Sequence, residues 1–381
     1  MKSKRISLDL DTLMPLLISI WRRFQKEGGP SDKLQTREFR SVVEAVKKLQ
    51  DTTQLGANYF KDKNLLGAYF LYQFVLHYQQ GVSLIGELPF VPKRVLDICT
   101  GPGAFALAAL KHGAEEVFAT DQNKEALHLA AEVCGRFGFP LTTREWDCLK
   151  KPLPIDKKFD LITLGYSLNE LFPPNKKGWA EEQQAFIEML LDKLTDDGFL
   201  AIIESSFQED NRRLLELRDR LVKKQVPVQA PCVWKGECPA LKTPNSPCYA
   251  QRTFEKPYLI KEIQRAAEIN LSSLKFSYII FRNPKSGWPK LPEGEFYRII
   301  SPPIEIQGRK RFYLCGTDGK KILESGLKNH PLESKAFDYL RRGELISVQN
   351  ANQHLNTFSV NENTKLKIVA ACGKPIPENY E

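Results

Sequence analysis

The sequence contains no hydrophobic run long enough to cross a membrane. The apolar run Leu13–Trp21 falls well short of the roughly 20 residues that a spanning helix needs. Asp9 and Asp11 precede it, where the leader of an exported protein would carry positive charge and an organelle transit peptide would lack acids. We therefore expect this run to form the buried face of a first helix. We expect the protein to be soluble, not exported and not bound to membranes.

Internal repeats and low-complexity tracts are missing, and cysteine is sparse. The chain has 8 cysteines in 381 residues. Without a secretory leader, this number argues for a reducing compartment and against a framework of disulfide bonds.

The composition allows two or three domains and shows an uneven charge. Hydrophobic residues make up 42% of the chain, and Lys plus Arg outnumber Asp plus Glu by 55 to 46. From Lys256 to the end there are 20 basic and 13 acidic residues, so +7 of the total +9 lies in this last third. The asymmetry suggests a polyanionic partner, although a solvated basic surface would explain the charge equally well.

The first 85 residues predict helices over 7–25, 36–50 and 64–80. In the third, aromatic and aliphatic residues recur every four positions on one broad face, which favours a packed core over a ligand site. These residues are Leu65, Leu66, Tyr69, Phe70, Phe74 and Tyr78.

From residue 94 the pattern changes to alternating strands and helices, which predicts a doubly wound parallel sheet. The predicted strands are Arg94–Ile98, Val117–Thr120, Leu141–Glu145, Phe159–Leu164 and Gly198–Ser205. The predicted helices are Ala104–His112, Lys124–Phe137 and Ala180–Leu194.

The segment 226–258 interrupts this pattern with six prolines, and short β-like runs follow it. Together with the hairpin signal Asp318-Gly319, these runs predict a small antiparallel sheet or barrel. They are Phe276–Phe281, Phe296–Ile300, Arg311–Leu314, Leu345–Val348 and Leu366–Ala371. We predict four parts: a helical region 1–85, an α/β domain 86–225, a cysteine-rich loop 226–258 and a basic β-rich domain 259–381.

A glycine-containing loop, Cys99–Gly103, follows the first predicted strand and opens a helix. Such a loop lets the backbone approach a nucleotide, and the free N–H groups of the helix start can bind it. An acid ends the next strand, where it can accept both hydroxyls of a ribose. The predicted cofactor-binding residues are Asp97, Thr100, Gly101, Gly103, Asp121, and Asp147 with Cys148 near an adenine edge.

The loop resembles the first motif of class I S-adenosylmethionine-dependent methyltransferases more than a dinucleotide-binding loop. Cys99 replaces the first glycine of that motif. Asn169 and Glu170 follow the fourth strand, where such enzymes place substrate-facing residues, but the Asn-Pro-Pro-Tyr signature of amino-group methyltransferases is missing. Methyl transfer depends mainly on alignment of donor and acceptor, so no catalytic base is required. A scaffold that binds the cofactor without turnover fits the sequence equally well.

Three cysteines, Cys232, Cys238 and Cys248, lie within 17 residues, each beside a proline. Thiolates on a turn-rich loop are typical of a metal or iron–sulfur site. Zinc pairs usually have two to four intervening residues, and these intervals are five and nine, which disfavours zinc. Cys315, at a predicted strand end, is our choice for a fourth ligand, and an ordinary strand cysteine is the alternative.

These features together resemble the mitochondrial small-ribosomal-subunit methyltransferase-like assembly factors and their bacterial relatives. The resemblance spans about residues 60–350 and is carried by Leu96–Gly103, Tyr166–Leu171, Ala230–Arg252 and Arg309–Cys315. It implies a Rossmann-like class I methyltransferase domain, and a [4Fe–4S] cluster on Cys232, Cys238, Cys248 and Cys315. It also implies association with the small subunit and its rRNA. Val233-Trp234 and Pro247 depart from the family, which usually has Pro-His after the first cysteine and Trp before the third.

Three functions follow. The first is a ribosome-associated factor that binds S-adenosylmethionine, rRNA and a cluster, and the second is an active rRNA methyltransferase with a structural cluster. The third is a zinc-containing methyltransferase of a protein or a small molecule. We expect a monomer when free, in the cytoplasm of a bacterium or the mitochondrial matrix of a eukaryote.

Overall fold

The computed structural model describes residues 9–50, 59–243, 247–291 and 294–377. The chain forms two compact units. Unit 1 comprises Met1–Ile85, Val91–Leu171 and Thr253–Leu274. Unit 2 comprises Gly86–Phe90, Phe172–Arg252 and Lys275–Glu381. The four-part division at residues 85, 225 and 258 stays a prediction.

The helices of the described residues are α1 Leu10–Gln25, α2 Thr36–Gln50, α3 Lys63–Ala68, α4 Phe74–Ile85, α5 Ala104–His112, α6 Lys124–Arg136, α7 Leu168–Leu171, α8 Trp179–Leu191, α9 Gln208–Lys223 and α10 Tyr258–Ala266. A π turn, Tyr69–Gln73, joins α3 to α4. Short 3-10 helices cover Tyr59–Lys61, Pro284–Ser286 and Leu332–Tyr339.

The strands of the described residues are β1 Arg94–Ile98, β2 Glu116–Asp121, β3 Leu141–Glu145, β4 Phe159–Gly165, β5 Leu194–Ser205, β6 Val228–Ala230, β7 Ala250–Thr253, β8 Ser273–Arg282, β9 Phe296–Ile299, β10 Ile304–Ile306, β11 Arg309–Gly316, β12 Gly319–Ser325, β13 Leu345–Gln349, β14 Asn352–His354, β15 Thr357–Ser359 and β16 Lys365–Ala370.

The first helix of unit 1 begins directly after its N-cap residue, Asp9. The Asp9 carboxylate accepts a hydrogen bond of 2.8 Å from the Thr12 N–H, which satisfies one free donor of the first turn. The predicted apolar face is buried, with Leu13 and Leu17 fully inaccessible. The predicted helix 7–25 is therefore confirmed from Leu10 onward, and residues 7 and 8 lie outside the described part of the chain.

The sheet of unit 1 is parallel, with strand order β3-β2-β1-β4. Its strands were all predicted from the alternating pattern, and helices α5 and α6 connect consecutive strands as expected. The carboxyl ends of parallel strands lie at one edge of a sheet, where α/β proteins bind their ligands. This Rossmann-like arrangement places the loops after β1, β2, β3 and β4 together at that edge.

Gly103 permits close packing between the start of α5 and helix α6. Its φ is 90°, a left-handed conformation, and a Cβ there would lie 2.7 Å from the Ala130 Cβ. Both the backbone conformation and the contact exclude a larger residue.

We expect Gly103→Ala to lower the free energy of unfolding by about 2–4 kcal/mol, because it adds both backbone strain and overpacking. Gly138→Ala is the matched control: its φ is 72°, but no atom lies within 4 Å of the added Cβ. Strain alone should cost about 1 kcal/mol there. Urea denaturation of both variants measures the difference, and equal losses would contradict the packing argument.

Unit 2 begins with antiparallel strands that were only partly predicted. Strand β5 pairs antiparallel with β8, and β8 pairs with β6. The run Phe276–Phe281, predicted to begin the C-terminal sheet, lies instead in the middle of β8. This prediction was wrong because pairing partners far apart in sequence, not proximity to the tail, decide where a buried strand lies. Helix α9 was not predicted.

The rest of unit 2 contains a second sheet, as the short β-like runs predicted. Its order is β14-β15-β12-β11-β9-β13-β16, with β10 against β11. Its core residues come from most of these strands and from the 3-10 helix Leu332–Tyr339. They include Tyr297, Ile299, Phe312, Leu314, Leu323, Phe337, Ile346, Phe358 and Leu366.

Within the part of the chain that the structure describes, no helix combines the length and apolar character needed to cross a membrane.

Candidate cofactor site and cysteine group

The loop Cys99–Gly103 connects β1 to α5 with an unusual backbone. Cys99, Gly101 and Gly103 all have left-handed conformations, with φ of 52°, 53° and 90°. Cys99 is the residue among them that carries a side chain, and this conformation costs it about 1–2 kcal/mol. The Thr100 N–H donates to the Thr120 carbonyl at 3.0 Å, which fixes the loop beside β2. The start of α5 is thereby presented at the ligand-binding edge of the sheet.

The Asp97 carboxylate is buried and holds this loop. It accepts hydrogen bonds from the Thr100 hydroxyl, from the Thr163 hydroxyl at 2.6 Å and from the Ala106 N–H at 3.1 Å. Burial raises the pKa of Asp97 to about 6, even though these bonds favour the charged form. Asp97 therefore joins the loop to β4 and α5, and its predicted contact with a cofactor stays a prediction.

Asp121 ends β2 and connects to the same loop. Its carboxylate accepts from the Gly101 N–H and from the Asn123 N–H, each at 2.8 Å. Burial raises the pKa of Asp121 above its usual value. A carboxylate oxygen can accept more than one hydrogen bond. Asp121 is thus oriented by two backbone groups and keeps acceptor capacity for a ligand.

Three aromatic side chains, Tyr59, Phe60 and Tyr69, form a wall beside Gly101. The Phe60 and Tyr69 rings lie 3.4 and 3.8 Å from the position of a Cβ on Gly101. The ring centroids are 4.6 Å apart for Tyr59 and Phe60 and 4.9 Å apart for Phe60 and Tyr69, both edge to face. Aromatic faces attract cations, so this wall suits a positively charged ligand group.

Sequence reasoning missed this wall. It did not single out Tyr59 or Phe60, and it assigned Tyr69 to the core. Phe70 and Phe74 are indeed fully buried, which confirms the core prediction for them. Tyr69, however, begins the π turn, and such turns are frequent at functional sites. The spacing of apolar residues every four positions in the sequence does not reveal this π turn.

His77 connects the wall to the segment after β4. It is hydrogen-bonded through Nδ1 to the Tyr69 hydroxyl at 2.9 Å, and its ring stacks on Tyr166 at 4.1 Å between centroids. Burial lowers the pKa of His77 to about 3, so the ring is neutral. The Tyr166 hydroxyl donates to Gln80 Oε1 at 2.8 Å. These contacts fix the start of the segment that carries Asn169 and Glu170.

Glu170 lies on α7 and is accessible to solvent. Desolvation by the surrounding protein, and secondly the charge of Asp121, raise the pKa of Glu170 to about 7. Burial and then the charges of Glu170 and Asp121 likewise raise the pKa of Tyr59. Tyr59, Asp121 and Glu170 are therefore close enough to influence one another electrostatically. The half-buried Asn169 precedes Glu170, and the substrate-facing roles of both stay predictions.

The loop after β3 also meets the glycine loop. The Cys148 thiol is hydrogen-bonded to the Cys99 thiol, which lowers the pKa of Cys148 and raises that of Cys99. Asp147 is paired with Lys150 at 2.9 Å, and this hydrogen bond lowers the pKa of Asp147. The predicted adenine contacts of Asp147 and Cys148 stay predictions.

We expect Glu170 to titrate near pH 7, and its pKa to fall in Asp121→Asn, because that change removes a neighbouring negative charge. Carbon-13 NMR of labelled glutamates measures the midpoint, and Glu170→Gln identifies the signal. Asp147→Asn, whose carboxylate is engaged with Lys150, should leave the midpoint unchanged. A midpoint near the ordinary value of about 4.3 would contradict this electrostatic description.

The four cysteines predicted as ligands all belong to unit 2 and lie near one another. Burial, and then the charges of Cys232, Cys238 and Cys315, raise the pKa of Cys248 far above its usual value. Burial and the charges of Cys232 and Cys238 raise the pKa of Cys315 to about 12. Burial and Cys232 raise the pKa of Cys238 to about 11. The proximity that a shared ligand set requires is present, while ligation itself stays a prediction.

Helix α9 fixes the loop around Cys238. The buried Arg218 guanidinium donates to the carbonyls of Trp234 and Gly236. The neighbouring Asp219 carboxylate accepts from the Cys238 N–H at 2.9 and 3.1 Å. Arg218 and Asp219, in one turn of α9, therefore fix both the segment before Cys238 and the backbone of Cys238 itself.

The same helix fixes Cys248 through Asn211. The Asn211 side chain accepts from the Cys248 N–H at 3.1 Å and donates to the Cys248 carbonyl at 2.7 Å. It also donates to the Ser277 hydroxyl at 2.9 Å. The signal for α9 was weak in the sequence because many of its positions are charged.

Three buried arginines surround the cysteines: Arg218, Arg298 and Arg342. Arg298 donates to the Pro231 carbonyl, beside Cys232, at 3.1 Å. The guanidinium carbon of Arg342 lies 3.8 Å from the centre of the Tyr249 ring, beside Cys248. Positive charge at these positions opposes the increase in the thiol pKa values at Cys248 and Cys315. The arginines therefore reduce, without cancelling, the cost of placing several thiolates together.

Among the described residues, no set of three or more His, Cys, Asp or Glu side chains is arranged to hold a metal ion. Residues 244–246, within the cysteine-rich segment, lie outside the described residues. The metal loop included in the predicted fold class therefore stays a prediction.

The basic residues near Cys315 are not equally available to a partner. Lys321 and Arg342, which belong to the basic last third of the chain, are buried. The Lys321 ammonium pairs with Asp318 at 2.9 Å, and Arg342 packs beside the cysteines. A count of charges in the sequence does not reveal such internal partners. Arg309 remains well exposed.

A parallel α/β sheet with a glycine loop after β1 and an acid at the end of β2 defines a Rossmann-like protein. The chain belongs to the family described as "Mitochondrial small ribosomal subunit Rsm22", whose model matches residues 75–331. This confirms the family predicted from the sequence. No curated protein sequence matches the chain.

Solved methyltransferase structures resemble the chain at low identity. The ribosomal protein L11 methylase of Lactobacillus delbrueckii subsp. bulgaricus is 22% identical, with 42% of this chain and 71% of that chain covered and a TM-score of 0.31. The N-methyltransferase NodS of Bradyrhizobium japonicum WM9, in complex with S-adenosyl-L-homocysteine, is 16% identical, with 63% and 98% covered and a TM-score of 0.36. These values are too low to transfer an activity or a substrate.

Proposed function

We propose that this protein is an S-adenosylmethionine-dependent methyltransferase that associates with the small ribosomal subunit and its rRNA. The observation that carries the cofactor assignment is the Asp121 carboxylate, held by the Gly101 N–H at the end of β2. An acid in this position, beside the glycine loop, can accept hydrogen bonds from ribose hydroxyls, which supports the assignment. Membership of the Rsm22 family supports the ribosomal partner.

S-adenosylmethionine supplies an electrophilic methyl group on a positively charged sulfur. Asp121 would accept from the ribose, and the loop Thr100–Gly103 would admit the amino-acid portion beside the start of α5. Asp97 would orient this loop, while Asp147 and Cys148 would contact the adenine. Tyr59, Phe60 and Tyr69 offer ring edges and faces to the positive charge.

Glu170 and Asn169 are the candidates for the acceptor side of the site. With a pKa of about 7, Glu170 can take a proton from an acceptor group near neutral pH. Asn169 can orient the acceptor through its amide. A protein that binds the cofactor without methyl transfer would need neither role, so Glu170→Gln separates the two cases: it should reduce methylation of small-subunit rRNA and leave cofactor affinity unchanged.

We expect Asp121→Ala to weaken S-adenosylmethionine binding at least tenfold, because it removes the ribose acceptor and releases the Gly101 N–H. Asn169→Ala is the control and should bind nearly as tightly as the wild type. Isothermal titration calorimetry measures both affinities. Equal affinity of Asp121→Ala and the wild type would reject the assigned cofactor site.

We further propose that Cys232, Cys238, Cys248 and Cys315 hold a [4Fe–4S] cluster, with zinc as the alternative. The proximity of the four thiols and the three buried arginines beside them support a shared ligand site. Hydrogen bonds from α9 to the backbone at Cys238 and Cys248 would fix two of the four ligands. A bound cluster would supply structural cross-linking of these segments.

Protein purified without oxygen should be brown and contain more iron than zinc, because the cysteine intervals do not form a zinc pair. Cys315→Ser should lose most of the iron. Cys372→Ser is the matched control, since its hydroxyl can still donate to the Arg342 carbonyl, which the Cys372 thiol contacts at 3.2 Å. Stoichiometric zinc without acid-labile sulfide would support the zinc alternative and exclude the cluster.

A further inference from the structure

The second sheet of unit 2 closes into a small barrel. Strand β9 pairs antiparallel with both β11 and β13, and β11 pairs antiparallel with β12. Strand β12 pairs in parallel with β15, and β13 pairs antiparallel with β16. The chain segment Thr357–Ala370 therefore pairs first with β12 and then with β13.

Backbone hydrogen bonds extend this closure beyond the strands themselves. The Ile322 N–H donates to the Asn356 carbonyl at 2.8 Å, and the Val360 N–H donates to the Glu324 carbonyl at 2.9 Å. The 3-10 helix Leu332–Tyr339 lies between β12 and β13 in the chain. Its Phe337 ring belongs to the barrel core.

This connectivity is that of an OB-type barrel. In chain order its five strands are β9, β11, β12, β13 and the β15–β16 segment, and they follow one another around the barrel in the order 1-2-3-5-4. Barrels of this type bind oligonucleotides or oligosaccharides on the face of strands 2 and 3, flanked by the loops between strands 1 and 2 and between strands 4 and 5. Here that face belongs to β11 and β12.

The outward side chains of β11 and β12 are suited to nucleotides. Phe312 and Leu314 point inward and are fully buried. The alternate residues Arg311 and Tyr313 therefore point outward, and both are partly accessible. The Lys320 ammonium lies 5.0 Å from the centre of the Tyr313 ring. An aromatic ring beside cations is the combination that stacks a base and binds its phosphate.

Glu324 organises the charges at one end of this face. Its buried carboxylate accepts from Arg309 at 2.8 Å and from Arg311 at 2.8 Å. Two guanidinium groups on one carboxylate leave one net positive charge. Glu324 thereby holds both arginines in fixed positions, and the Arg309 side chain is 60% exposed.

The two flanking loops border the face at different positions. Strand β10, in the loop between strands 1 and 2, pairs with Arg309–Arg311, and β15 pairs with Ile322–Glu324. The first loop therefore borders the end that carries Arg309 and Glu324, and the second approaches the face near Ile322. Each presents an exposed apolar side chain, Ile306 in the first and Leu355 in the second.

We propose that the β11–β12 face binds single-stranded RNA, with Tyr313 stacking on a base and Arg309, Arg311 and Lys320 contacting phosphates. Residues 296–376 contain 13 basic and 7 acidic residues, which favours a polyanion over an oligosaccharide. A shallow sheet face with an outward ring contacts unstacked bases, which a duplex does not offer. The inference deepens the proposed association with rRNA and rests on it for the source of the RNA.

The test uses the full chain, purified without oxygen, and a fluorescein-labelled 12-nucleotide oligouridylate. Fluorescence anisotropy compares this probe with an RNA duplex of equal length at two salt concentrations. We expect the single strand to bind at least tenfold more tightly than the duplex. Tyr313→Ala should weaken binding about tenfold, and Tyr313→Phe should restore it because the ring is retained.

Lys320→Ala should weaken binding and reduce the slope of log affinity against log salt by about one ion. Lys367→Ala, an exposed cation on β16, is the matched control and should bind like the wild type. Because Tyr313 is two residues from Cys315, iron content and thermal unfolding are compared for every variant. Tyr313→Leu serves as a second variant if Tyr313→Ala is unstable.

Unchanged binding in a folded Tyr313 variant, or equal affinity for single strand and duplex, would overturn the proposal. Co-sedimentation with small ribosomal subunits separates this result from failure of the proposed function. Subunit binding without a preference for the single strand would reject this surface alone. Single-strand binding without subunit association would instead count against the proposed ribosomal partner.

Discussion

The central constraint in unit 2 is the repulsion among four ionisable thiols. Each thiolate raises the energy of the others, so the group needs nearby cations and a fixed backbone to exist in charged form. Arg218, Arg298 and Arg342 supply the positive charge, and α9 supplies hydrogen bonds to the loops. This requirement accounts for several features of unit 2. A helix that carries the buried Asn211 and Arg218, and a strand end placed near a proline-rich loop, are consistent with such a group.

Local signals were read correctly from the sequence, and long-range ones were not. The succession β1, glycine loop and α5 was predicted because strand, turn and helix each leave their own pattern within a few residues. Helix α9 was missed because Arg218 and Asn211 interrupt its apolar face, and their buried partners lie in the cysteine-rich loop. The position of Phe276–Phe281 in β8 depends on β5, some 75 residues earlier in the chain.

The candidate sites show the same division. The approach of Cys315 to Cys248 agrees with a guess made from the hairpin position, yet nothing local specifies it. The acid at the end of β2 is fixed by the spacing of the βαβ unit. The aromatic wall has no such spacing, because Tyr59 and Phe60 come from a separate 3-10 turn. In the barrel, Glu324 neutralises one of the two positive charges of Arg309 and Arg311, whereas composition alone counts both as free.

The π turn Tyr69–Gln73 has a consequence for how the helical segment of unit 1 tolerates change. A π turn holds one residue more than an α-helical turn, so the helix before it and the helix after it are rotated by about 100° relative to an uninterrupted helix. Each half can therefore keep its own packed face. A change in length at this point would alter which side chain faces Gly101 while leaving Phe74 and the rest of α4 in register.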